Sequence, residues 1–86
     1  MVTVNFVGGA TILVKILMPT NKKGTRLRAR LGNCARSKAK IYPWDYALSD
    51  AKNYEVAAKA YADWLKWEGS LIGSWVDNNA IFVFAD

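Results

Sequence analysis

Arg26, Arg28 and Arg30, then Arg36, Lys38 and Lys40, place six cations at alternate positions of two short stretches. In extended chain alternate side chains leave by the same face, so each stretch presents a row of positive charge. The chemistry open to such rows is anion binding. Phosphodiester backbones are the obvious match, because neutralising phosphates releases counterions and gives salt-dependent affinity. Lys22 and Lys23 flank the rows, and Tyr42, Trp44 and Tyr46 follow them. Aromatic rings beside a basic groove can stack on bases. A plainer reading stands beside this one: a solvated strand face neutralised by acids from elsewhere, with Trp44 and Tyr46 packed at the edge of a core.

Other chemistry finds little support. The chain has no His, which excludes Ser-His-Asp and Cys-His catalysis. With Cys34 as the one cysteine, the usual zinc ligand sets are excluded too. Asp45, Asp50 and Asp77 fall at turn or cap positions that account for them locally, and no carboxylates cluster as metal-assisted hydrolysis needs. Cys34 sits in a basic loop that could lower its pKa, but without a His partner it reads as a small turn residue. No catalytic residue, metal or cofactor is therefore expected, and the chain reads as non-enzymatic. A lone thiol and the lack of a leader pattern suggest a reducing, cytoplasmic setting. Lys15 interrupts the apolar run of residues 12–18, which is too short to span a membrane.

These residues must be held by elements. At 86 residues the chain makes one domain, residues 1–86. Its net charge of +5 is unevenly spread: residues 1–44 carry nine cations and no acid, residues 45–86 three cations and seven acids. One small domain thus has a polarised surface. Alternation predicts strands at residues 11–18, 25–31, 35–42, 70–76 and 80–85, with a further short strand at 2–7 turned by Gly8-Gly9. Ser49 is a good N-cap for a helix running to about Trp67, with Gly69 at the C′ position. Ala51, Tyr54, Ala58, Tyr61 and Leu65 form its buried stripe, and Glu55–Lys59 and Lys59–Asp63 are spaced as ion pairs. The expected fold class is α+β: a single antiparallel sheet of four to five strands with one amphipathic helix on one face, in the order β(β)ββ-α-ββ.

Register decides where the cations point. A two-residue turn at Gly32-Asn33 would oppose Ala29 and Arg36 and force an arginine onto the apolar face. A three-residue turn that includes Cys34 opposes Arg30 with Arg36, Arg28 with Lys38 and Arg26 with Lys40, and gathers all six charges on one face. The second register is expected. Its cost is three cross-strand cation pairs, each unfavourable by about 0.2–1 kcal/mol until an anion arrives.

Several stretches carry a resemblance: Pro19-Thr20-Asn21-Lys22-Lys23-Gly24-Thr25-Arg26; Tyr42-Pro43-Trp44-Asp45-Tyr46-Ala47-Leu48-Ser49, with Asn53 and Ala57-Ala58; Trp67-Glu68-Gly69; and Ile81-Phe82-Val83-Phe84. From about residue 12 onward the chain resembles a group of small uncharacterised proteins encoded by tailed bacteriophages. The resemblance implies a phage origin and action in a bacterial cytoplasm. It assigns no functional residue.

The leading expectation is a small binding protein whose basic hairpin engages nucleic acid or a host nucleoprotein complex through Arg26, Arg28, Arg30, Arg36, Lys38 and Lys40, with Lys22, Lys23 and Tyr42 beside them. The rival is a phage anti-defence protein, such as an anti-CRISPR, or a host-takeover inhibitor that binds protein directly. Trp67 and Trp75 are its candidate contacts, Trp64 being assigned to packing and Trp67 to the surface. A homodimer through an exposed edge strand is also open.

Overall fold

The computed structural model describes residues 1–3, 11–32 and 39–84. The strand proposed at residues 2–7, Gly8-Gly9, Cys34, Arg36 and Lys38 therefore lie wholly or largely outside the described residues. Five strands and one helix are present: β1 (Ile12–Leu17), β2 (Arg26–Leu31), β3 (Lys40–Pro43), α1 (Asp50–Trp64), β4 (Leu71–Val76) and β5 (Asn79–Phe84). They form one five-stranded sheet in the order β3-β2-β1-β5-β4, with every neighbouring pair antiparallel. The α+β class and the order βββαββ are those read from the sequence.

The helix lies on one face, over β1 and β2. Alternation puts Ile12, Val14, Leu27, Ala29, Ala80 and Phe82 beneath it, against Tyr54, Ala57, Ala58, Tyr61 and Ala62. Tyr61, Ile12, Leu27 and Val14 are the largest fully buried side chains. Burying an aliphatic chain of that size stabilises the fold by about 1.5–3 kcal/mol.

Ser49 caps α1: its hydroxyl accepts from the Lys52 N–H at 3.2 Å, and Asp50 sits in the first turn. The helix ends earlier than Gly69 suggested. Leu65 is the C-cap, and Lys66 takes the left-handed conformation at φ 62°. The Lys66 N–H donates to the Asp63 carbonyl and the Trp67 N–H to that of Ala62, so the usual pair of closing bonds forms around a lysine where glycine is customary. Ala51, expected in the buried stripe, is exposed, and Asn53 is buried in its place. The Asn53 amide spans the approach to the helix: Oδ1 accepts from the Asp45 N–H, and Nδ2 donates to the carbonyls of Asp45, Leu48 and Ser49. An asparagine inside a helix pattern resembles any other polar residue until the loop folds back over it. Lys59–Asp63 pairs at 2.7 Å, as expected, whereas Glu55 pairs with Lys52 at 3.5 Å.

The β4–β5 turn has two residues, not three. Val76 opposes Asn79, and Asp77 has a positive φ of 55°, as a tight hairpin turn requires at its first position.

Candidate nucleic-acid interface

The β2–β3 register differs from the one expected. Ala29 opposes Lys40, Leu27 opposes Tyr42, Arg28 opposes Ile41 and Arg26 opposes Pro43. The parity is reversed, so Lys40 and Tyr42 turn to the helix side and Ile41 joins the arginines. Hydrophobic contacts account for the reversal. Tyr42 packs against the core, and the Lys40 ammonium lies 4.4 Å from the centre of the Trp64 ring. The arginine strand is thereby spared cationic neighbours at Ile41 and Pro43. Lys40 and Tyr42, assigned to the basic face from sequence, are on the other side of the sheet. Burial, and secondarily the nearby Tyr61, raises the Tyr42 hydroxyl pKa above its ordinary value.

The face away from the helix carries Arg26, Arg28 and Arg30 on β2, and Lys15 on β1 directly opposite Arg28. Successive arginines are about 6.8 Å apart along the strand. Leu17 opposes Arg26 and Leu13 opposes Arg30, so the cations stand among aliphatic side chains. All three arginines are half-buried and Lys15 is exposed. The Arg28 Nε is buried without a hydrogen-bond partner among the described residues. The Arg26 Nε donates to the Gly24 carbonyl at 3.1 Å, which draws its side chain towards the β1–β2 loop.

That loop extends the basic surface. Thr20 Oγ1 accepts from the backbone N–H groups of Lys22 and Lys23, and the Thr20 N–H donates to the Lys23 carbonyl at 2.7 Å. Lys22, Lys23 and Arg26 line one shallow depression with Thr20 and Asn21. Among the described residues, the ion pairs are the two on the exposed side of α1, and none involves this face. No described strand residue of the open face is acidic.

Sequence reasoning missed Lys15, because its place beside Arg28 is a cross-strand relation. Pairing residues 11–18 with 25–31 across the breaker-rich loop is the signal that would have found it.

Most of the described aromatic residues gather on the helix side, whereas Tyr46, read from sequence as packed at the core edge or stacking beside the basic face, is exposed in the loop before α1. Tyr54 meets Trp44 and Trp75 edge-on, with ring centres 6.1 and 4.8 Å away, and Trp67 lies 5.4 Å from Phe84. Trp64 and Trp67 exchange the roles expected of them: Trp64 is exposed under Lys40, and Trp67 is half-buried against the core. Trp67 and Trp75 do share one surface, a groove of about 530 Å³ between α1 and β4 that Gly73 and Phe82 also line.

Among the described residues, no three carboxylate or thiol side chains gather into a set that could hold a metal ion. No helix among them is long and apolar enough to cross a membrane. No family model, curated protein or solved structure matches the chain.

Proposed function

We propose that this protein is a non-enzymatic binding module whose open sheet face engages a polyanion, with nucleic acid as the partner its charge pattern fits best. One observation carries the proposal: Lys15, Arg26, Arg28 and Arg30 share a face on which the described strands place no carboxylate. A structural face would balance such charges locally, since like charges across strands are unfavourable. Arginine presents a planar fork of donors suited to phosphate oxygens, and Lys22 and Lys23 extend the contact at one end. The face carries no aromatic residue on its described strands. Binding therefore runs through phosphates, with little preference for sequence. The resemblance to tailed-phage proteins supports seeking the partner, free or within a nucleoprotein complex, in a bacterial cytoplasm.

The test is titration of labelled single- and double-stranded DNA and RNA at two salt concentrations. Binding that weakens with salt supports the proposal. No binding at low salt, or affinity indifferent to salt, overturns it.

A second reading, an anti-defence or host-takeover inhibitor that binds protein directly, is favoured by the groove at Trp67 and Trp75. A host protein retained on the immobilised chain after nuclease treatment, and released by Trp75→Ala, supports it.

A further inference from the structure

β4 is the outer strand of its side of the sheet, and among the described residues no strand lies beyond it. The opposite edge, β3, is only four residues long and carries Lys40 and Pro43, both common guards against edge-to-edge pairing. β4 has neither guard. It runs six residues as Leu-Ile-Gly-Ser-Trp-Val, and the whole stretch 69–76 is free of charge and proline. Its apolar side chains stay exposed on both faces: Ile72 at 58% and Val76 at 52% on the open side, Trp75 at 51% on the helix side.

We propose that β4 pairs antiparallel with β4 of a second copy, joining two sheets into one of ten strands, and that Trp75 of each copy fills the groove of the other. A two-fold axis normal to the sheet and passing at Ser74 keeps the helix sides of both copies on the same side. It sets Ile72 opposite Val76 of the second copy, twice, as aliphatic pairs on the open face. It also sets Gly73 opposite Trp75 of the second copy on the helix side. Gly73 has no side chain because Phe82 occupies that space: a Cβ there would collide with the ring. The large indole thus meets a position without a side chain and lands on the ring of Phe82, within the groove. An axis at Gly73 would instead set Leu71 against Trp75 and Ile72 against Ser74, crowding one row and leaving the other mismatched.

Charge directs a second copy to this edge and away from the basic face. Each copy carries +5, and face-to-face contact through the open side would bring arginine against arginine. Of the two edges, β4 alone offers an uncharged, self-complementary strand.

The experiment is sedimentation equilibrium of the full chain with far-UV circular dichroism as the check on folding. The native protein is expected at twice its 9.6 kDa chain mass. Ile72→Lys, on an exposed side chain, is expected to return it to the single-chain mass. The double change Ile72→Lys with Val76→Glu is expected to restore the dimer, because the introduced opposite charges face each other across the axis. A native monomer at every concentration, or a dimer indifferent to Ile72→Lys, overturns the proposal. Failure of the double variant to re-associate overturns the register at Ser74. Arg28→Glu is expected to abolish polyanion binding and leave the mass unchanged, so the two proposals fail separately.

Discussion

Among single residues, Arg28 occupies the centre of the basic face, between Ile41 and Lys15. Arg28→Ala is expected to weaken nucleic-acid binding by about 1.5 kcal/mol, roughly tenfold. In anisotropy titrations its log–log salt dependence should also become shallower by about 0.9, as follows when one phosphate is no longer neutralised. Asn53 matters for stability instead. Its amide makes four hydrogen bonds to the backbone leading into α1, so Asn53→Ala is expected to cost about 1–3 kcal/mol in urea unfolding. Tyr54 gives stability a pH dependence. Its hydroxyl donates to the Asn78 carbonyl, and burial, then the negative charge of Asp50, raises its pKa above the ordinary 10.0. Because the folded value exceeds the unfolded one, this contribution is intact below pH 10 and is lost as pH rises through the folded value. Unfolding midpoints should therefore fall as pH rises above 10.0, and less steeply in Tyr54→Phe.

Among the elements, the two ends of α1 differ in how well their chemistry fits their geometry. Ser49 suits its cap, whereas Lys66 holds a left-handed backbone at φ 62° that favours glycine. Lys66→Gly is expected to raise stability by roughly 1 kcal/mol in thermal unfolding, with the helix length unchanged. Gly69 does take a positive φ, 116°, but it belongs to the approach to β4 and not to the helix end. β3 shows the limit of pattern reading. Its alternation is weak enough to accept either parity, and the choice falls to Tyr42 against the core and Lys40 over Trp64. Trp64 and most of the helix side of that core come from a helix that begins after β3 ends, so no count of residues around the turn could weigh them.

Across the sheet, the helix covers the β1–β2 half of one face and leaves the groove beside β4 on that side, and among the described residues no helix or strand covers the second face. The cationic row and the uncharged edge strand are thereby set apart. The cations stand on the open side of β2 and β1, and the uncharged edge lies at the far end of the sheet. Of the nine cations of residues 1–44, Lys15, Arg26, Arg28 and Arg30 share one face because β1 and β2 are adjacent, and the −4 of residues 45–86 falls largely on the helix, turns and loops.

The class of the fold, the strand and helix order, the cap at Ser49 and the row of arginines on β2 were all legible in the chain alone. Each follows from local propensity or from a period of two or 3.6 residues, which neighbours in the chain are enough to express. Which cations share a face was settled by packing. Lys15 joins that face and Lys40 leaves it because strand register answers to side chains brought together from distant segments. The hydrophobic gain of seating Tyr42, with the contact of Lys40 on Trp64, prevails over the tidier separation of charge that the alternating pattern suggested.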